Sequence, residues 1–296
     1  MFHVQKITSL DLPELAPYRT MRRPLEHERQ GIFVAEGEKV VRRLLESRFE
    51  VVSVLLPEKH LEAFRPLLEA RPEKLTVYLA DKKLLESLIG FSMYQGQLAV
   101  GKIPPPASLD DILSKSPKPQ LFVAVDALTS AENLGALVRN CVAFGVQALI
   151  VGETSSSPFL RRAVRNSMGT ILQLPVIELG SRRDELYEFL TPRMKLGTRV
   201  TRPSETLAQI LQHLRACGVR CLAAHPHTNK IFLSQADFSG DCCLVFGSEG
   251  DGISPAVLKA CDEAVAIPMP PTVDSLNVGA AAAVFLYEVN RQRKKF

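Results

Sequence analysis

Phe246-Gly247-Ser248-Glu249-Gly250-Asp251-Gly252, then Ile267-Pro268-Met269, then Ser275-Leu276-Asn277-Val278 running into Ala280 to Ala283, decide the reading of this chain. The first stretch is one strand end that breaks into a loop and opens a helix, and the second and third together are another. In open α/β sheets, ligands bind beyond the carboxyl ends of the strands. Two such breaks close together in sequence, on one sheet edge, predict a built pocket.

The surrounding residues fit that frame. Leu121 to Val125, Ala148 to Val151, Ile171 to Val176, Val219 to Ala224, Cys242 to Phe246 and Ala264 to Met269 read as strands, with helices between them and after the last. Continuous apolar strands alternating with helices predict a mostly parallel sheet covered on both faces. Ser157 is expected to cap a helix running through Arg165, with Pro158 at its first position. Upstream, Ile32 to Ala35, Val51 to Leu56, Leu75 to Ala80 and Gln97 to Val100 read as strands of a smaller α/β layer. A helix from Glu38 to Ser47 turns Val40, Val41, Leu44 and Leu45 inward.

Between these halves, residues 104–119 hold five prolines, a composition that makes a stiff connector. The expected organisation is therefore 1–103, a linker over 104–119, and 120–296. A length of 296 residues agrees with about two domains at roughly 150 residues each. An apolar fraction of 46% lets each half bury a core. No run approaches the ~18 apolar residues of a membrane span, and no secretory signal is visible, so the expectation is a cytoplasmic protein with no membrane partner. Six cysteines form no C-x-x-C pair, and most lie in apolar runs as small hydrophobes. His225-Pro226-His227 reads as a polar loop, and no metal site is expected.

Net charge is only +4, but it is unevenly spread. Residues 161–202 carry nine Lys/Arg against four Asp/Glu, and residues 203–290 carry four against nine. A basic stripe on a near-neutral body fits a phosphate-bearing partner, although solvated helix faces can look the same. Neither G-x-G-x-x-G nor G-x-x-x-x-G-K-[ST] occurs, which removes most support for dehydrogenase and NTPase readings.

The helix after Asp126 is read with Thr129-Ser130-Ala131-Glu132 at capping-box spacing. Leu134, Leu137, Val138, Cys141 and Val142 form its buried stripe. Arg139 lies off the stripe among Gly135, Ala136 and Ala143, so either something large approaches that face or Arg139 is a surface residue. Asn133 reads as a local backbone partner or as part of a site.

These segments resemble the SpoU family of RNA 2′-O-ribose methyltransferases, in the SPOUT class. The match rests on Asn133-Leu134-Gly135-Ala136 with Arg139 and Phe144-Gly145-Val146, on Phe246 to Ile253, and on Ile267-Pro268-Met269 with Ser275-Leu276-Asn277-Val278 and Leu286-Tyr287-Glu288. Ser157-Pro158-Phe159 and Ala163 to Gly169 extend it. More weakly, Phe33-Val34-Ala35-Glu36-Gly37 resembles the family's N-terminal substrate-binding domain, similar to the ribosomal L30e fold.

The resemblance implies a deep trefoil knot in the C-terminal segment, a homodimer through the C-terminal domain, and S-adenosylmethionine held in the loops at Phe246, Gly247, Ile267, Met269, Leu276 and Asn277. It implies methyl transfer to a ribose 2′-hydroxyl of RNA, rRNA being favoured. Arg139 matches the catalytic arginine, and Asn133, Glu249, Ser275 and Asn277 match the other polar positions. Glu249 either orients Arg139 or ties its own loop; Ser275 and Asn277 are site residues or helix caps. Arg161, Arg162 and Arg165, with Arg22 and Arg23, are the expected RNA contacts.

The chain departs from the pattern at Ser130-Ala131 (usually Asp-Pro), at Pro271 (usually Gly) and at Gly279 (usually Ser). Residues 179–203 form a longer basic excursion that is either a lineage-specific RNA surface or solvated. The alternative function is an RNA-binding protein of the same fold without methyltransferase activity.

Overall fold

The computed structural model describes residues 2–89, 96–180, 205–226 and 231–294. The basic residues Arg182, Arg183, Arg193, Lys195, Arg199 and Arg202, and His227, lie outside them. In chain order the elements are β1 (Phe2–Lys6), α1 (Ala16–Arg19), α2 (Pro24–Gln30), β2 (Ile32–Glu36), α3 (Glu38–Glu46), β3 (Val51–Pro57), α4 (Leu61–Glu69), β4 (Leu75–Ala80), α5 (Lys82–Ile89) and β5 (Leu98–Lys102). Then follow α6 (Leu109–Lys115), β6 (Leu121–Val125), α7 (Ala131–Ala143), β7 (Ala148–Val151), α8 (Arg161–Asn166), β8 (Val176–Glu178) and α9 (Leu207–Ala216). Last come β9 (Arg220–Ala224), β10 (Ile231–Phe232), β11 (Cys242–Phe246), α10 (Pro255–Ala260), β12 (Glu263–Ala266) and α11 (Val278–Gln292).

Two compact units form. The first comprises residues 1–105 together with 158–173, the second 106–157 together with 174–296. The sequence reading put 158–173 with the carboxyl half, whereas this stretch packs with the first unit. Phe159 stacks among Phe33 and Phe49, with ring centroids 5.7 and 6.1 Å away. Arg43 Nη1 donates to the Met168 carbonyl at 2.7 Å. Arg161 and Arg165 both pair with the buried carboxylate of Glu36, Arg165 at 2.6 Å. A lone buried carboxylate would carry a desolvation penalty of several kcal/mol, so two guanidiniums make its burial tenable.

The first unit is a five-stranded mixed sheet in the order β1-β4-β3-β5-β2. Its edge strand β1 pairs in parallel with β4 and was not foreseen from the sequence. Helix α3 turns Val40, Val41, Leu44 and Leu45 into the core as its periodicity predicts.

The second unit is a seven-stranded sheet in the order β10-β12-β9-β11-β6-β7-β8, and every described pairing in it is parallel. Residues of β6, β7 and β11 are buried throughout, as apolar strands covered on both faces must be. Two of the buried thiols, Cys242 and Cys243, sit in β11, and burial pushes that of Cys242 up to about 11.

Three local expectations need correction. The run Ile171 to Val176 is not a strand: Thr170–Gln173 is a 3₁₀ turn, and the strand begins only at Val176. The helix expected from Pro158 starts at Arg161, and its N-cap residue, Leu160, makes no side-chain cap. The proline-rich connector is not wholly extended, because Ser108 accepts the Asp111 N–H and nucleates α6 with Asp110 and Asp111 in its first turn.

Candidate cofactor and active site

Strands β12, β9 and β11 are neighbours in the second sheet, and all three end at the same edge. A cavity of about 440 Å³ opens there, within the usual range of small-molecule sites. Ala224 ends β9 and His225 follows it, Phe246 ends β11 and Gly247 to Ile253 follow it, Ile267 and Met269 follow β12, and Val278, Ala281 and Phe285 of α11 close it. The placement is what parallel topology dictates: the loops leaving adjacent strands converge on one rim.

The loop after β11 is a tight fold-back. Ser248 N–H donates to the Gly252 carbonyl at 3.0 Å, and Asp251 N–H to Ser248 Oγ at 3.1 Å. Only glycine fits at 247, since a Cβ there would stand 2.1 Å from the Gly252 carbonyl carbon. Gly252 adopts φ +70°, which side chains other than glycine's rarely tolerate. Asp126, buried after β6, accepts the Ser254 N–H at 2.7 Å and so fixes the loop's far end. Sequence reasoning did not single out Asp126; a carboxylate at a strand end opposite a helix start is the signal that was there to use.

Glu249 rises from this loop and meets two asparagines. Asn277 Nδ2 donates to Glu249 Oε1 at 2.8 Å and to Asn133 Oδ1 at 3.0 Å, using both amide protons. Asn277 Oδ1 accepts the Gly279 N–H at 2.9 Å and caps α11. Asn277 is thus both a helix cap and a member of the cluster. Glu249 is tied to Asn277 rather than to Arg139. Asn133 sits in the first turn of α7, whose cap is Ser130 and not Thr129: the Asn133 N–H donates to Ser130 Oγ at 3.3 Å.

Of the expected cofactor residues, Phe246, Gly247, Ile267, Met269 and Leu276 line the cavity; Asn277 stands beside it through Glu249. Ser275 lines it as well. His225, Asp251 and Asp274 also line it and were not chosen from the sequence. The ring of Phe285 stands edge-on to Phe246 at 5.7 Å and 88°.

Arg139 is not among the lining residues. It is exposed, and no hydrogen bond or ion pair holds it among the described residues. The small side chains on its helix serve packing instead: a Cβ at Gly279 of α11 would lie 3.2 Å from Ala136 Cβ, so the two helices approach closely at that point. Arg161, expected on an RNA surface, is mostly committed to Glu36, its side chain only 17% exposed. Arg165 pairs with the same carboxylate but stays 54% exposed, Arg162 and Arg22 are exposed, and Arg23 pairs with Glu26 at 3.1 Å.

The walls combine apolar side chains (Ile267, Met269, Leu276, Phe285) with three carboxylates, Glu249, Asp251 and Asp274. Such a lining fits a flat heteroaromatic group attached to a cationic one. Gly247 lets the loop fold back on its own Gly252–Ile253 backbone, and that fold-back shapes this wall of the cavity. Among the described residues no group of three or more His, Cys, Asp or Glu is arranged to hold a metal.

The family model described as SpoU rRNA Methylase matches residues 120–287. The chain belongs to the SpoU rRNA methylase family. Within it, the chain is 30% identical over 263 residues to the 23S rRNA (guanosine-2'-O-)-methyltransferase RlmB of Acinetobacter baylyi, covering 87% of this chain and 96% of that protein. It is 30% identical over 296 residues to an uncharacterized tRNA/rRNA methyltransferase of Mycobacterium tuberculosis, covering 97% and 92% of the two chains. Among solved structures, the SpoU methyltransferase AviRb from Streptomyces viridochromogenes in complex with AdoMet superposes with a TM-score of 0.72 at 25% identity, over 95% of this chain and all of that one. The α/β fold with a mostly parallel sheet is thus that of SpoU methyltransferases.

Proposed function

We propose that this chain transfers a methyl group from S-adenosylmethionine to a ribose 2′-hydroxyl of structured RNA, ribosomal RNA by preference. The observation that carries the reading is the cluster of Glu249, Asn277 and Asn133 at the rim of the strand-end cavity. Similarity to the Acinetobacter enzyme over most of both chains supports rRNA as the substrate class. The AdoMet complex of AviRb supports the cofactor.

When bound, the cofactor supplies an electrophilic methyl group on a positively charged sulfur. Glu249, Asp251 and Asp274 would favour that charge, and the apolar lining of Ile267, Met269, Leu276 and Phe285 would hold the cofactor's apolar surface. What the protein adds is alignment and charge stabilisation. Arg139, exposed and uncommitted among the described residues, orients the target phosphate and stabilises the developing alkoxide. A guanidinium keeps its proton, with a pKa above about 12, so Arg139 acts as a cation.

The first unit recognises RNA through shape and phosphates, in keeping with the weak resemblance of its strands to an L30e-like substrate domain. Arg22, Arg23, Arg162 and Arg165 are its candidate contacts. The carboxyl half acts as a homodimer: Val284 and Tyr287 on α11 are 39% and 54% exposed, a share of apolar surface that a second copy would cover. It carries the family's knot, a reading supported by β11 lying between β9 and β6. A protein of this kind works in the cytoplasm, and no described helix is long and apolar enough to cross a membrane.

The test is incubation with methyl-tritiated S-adenosylmethionine and rRNA, followed by alkaline hydrolysis. Label in alkali-resistant dinucleotides is expected, and label on bases alone would refute ribose transfer. Absence of any heat of S-adenosylmethionine binding at high protein concentration would favour the non-enzymatic RNA-binding alternative.

A further inference from the structure

Two side-chain amides join the carboxyl-terminal end of α7 to α11, one at the start of α11 and one near its end. Asn140 of α7 donates from Nδ2 to the Gly279 carbonyl at 2.6 Å. Asn290 of α11 donates from Nδ2 to the Phe144 carbonyl at 2.8 Å. The two bonds are alike in chemistry but not in what lies beside them. Gly279 is the second residue of α11, and its N–H is the one received by Asn277 Oδ1. Asn277 in turn spends both amide protons on Glu249 and Asn133. On either side of Asn277, Ser275, Leu276, Val278 and Ala281 line the cavity. Asn290 has no such neighbours: the last cavity-lining residue of α11 is Phe285.

From this asymmetry we infer that Asn140 is a positioning residue for the cofactor site. It acts through Gly279 to hold the first turn of α11, and with it the Asn277–Glu249 bond, at the cavity rim. Gly279 suits that role because it carries two polar contacts and no side chain. A Cβ there would meet Ala136 Cβ at 3.2 Å and Asn277 Oδ1 at 3.1 Å, so the first turn lies directly on α7 and its height is set by what Asn140 reaches. Without the Asn140 amide, the Gly279 carbonyl loses that bond, and the α11 start can lift from α7, carrying Ser275 and Leu276 with it. Asn290 secures the helix pair without governing the pocket.

The inference rests on reading the cavity as the S-adenosylmethionine site. Titration calorimetry with S-adenosylmethionine on wild type, Asn140→Ala and Asn290→Ala, alongside thermal melts, separates the possibilities. Both variants should lower the melting temperature, but only Asn140→Ala should weaken binding, by about tenfold, and raise KM for the cofactor while KM for RNA is unchanged. Should Asn140→Ala not fold, Asn140→Ser makes the same comparison. Wild-type affinity in the Asn140 variant, or an equal loss in Asn290→Ala, overturns the role assigned to Asn140. Failure of the wild-type protein itself to bind S-adenosylmethionine overturns the reading of the cavity instead.

Discussion

Asn277 and Glu249, 28 residues apart in sequence, are 2.8 Å apart across the cavity rim, and the same asparagine caps α11. Cap and site are therefore separable by chemistry. Asn277→Asp keeps an acceptor for the Gly279 N–H but sets a second carboxylate against Glu249. Asn277→Ala removes the cap as well, at about 1 kcal/mol. The expected outcome is a stability loss in both variants, from the missing cap in alanine and from carboxylate repulsion in aspartate, the latter alone relieved at low pH, with methyl transfer falling at least about tenfold in both. Urea melts and tritium transfer check the two quantities side by side; full activity in Asn277→Asp would take the Glu249 contact out of the mechanism.

Arg139 has no partner to lose among the described residues, so Arg139→Ala should change stability by no more than about 0.5 kcal/mol. S-adenosylmethionine should still bind, while single-turnover methyl transfer is abolished. Wild-type turnover in that variant would exclude Arg139 from catalysis.

Gly247→Ala sets a methyl group 2.1 Å from the Gly252 carbonyl carbon and 2.4 Å from the Ile253 nitrogen. The fold-back must open, so cofactor binding should disappear by calorimetry and the melting temperature should fall. Binding at wild-type affinity would show that the loop after β11 does not shape the pocket.

Glu36, Arg161 and Arg165 divide a basic stretch that looks uniform in sequence. Glu36→Gln should destabilise the first unit by about 3 kcal/mol, because it leaves the largely buried Arg161 without its counter-charge. Arg161→Ala should lower stability and leave the salt dependence of RNA binding unchanged, whereas Arg162→Ala should reduce that slope by about 1. Filter binding at several salt concentrations distinguishes them, and an unchanged slope in Arg162→Ala would remove that residue from the RNA surface.

Part of this was legible in the sequence, and the reason differs from element to element. Strands β6, β7 and β11 are apolar at every position because both faces are covered, and a short apolar run flanked by turn residues has few other uses. Ile171 and Leu172 are just as apolar and buried yet belong to the Thr170–Gln173 turn; the polar, exposed Gln173 is the one local mark that separates this run from a doubly covered strand. The cavity was legible because glycines, polar residues and strand ends coincide between Phe246 and Asn277. The pairing of Arg161 with Glu36 was not, since the two are 125 residues apart and a basic residue beside other basic residues gives no hint of a distant carboxylate. The same holds for Asn140, whose partner is a backbone carbonyl 139 residues away.

In the register of β11 on β6, Cys242 lies beside Leu121. The chain between them takes roughly ten seconds to synthesise at about 5–20 residues per second. Throughout that interval a newly made molecule exposes one bare flank of β6 on the ribosome, a template for any stray strand. That flank of β6 therefore gains its native partner only once residues 242–246 have been made.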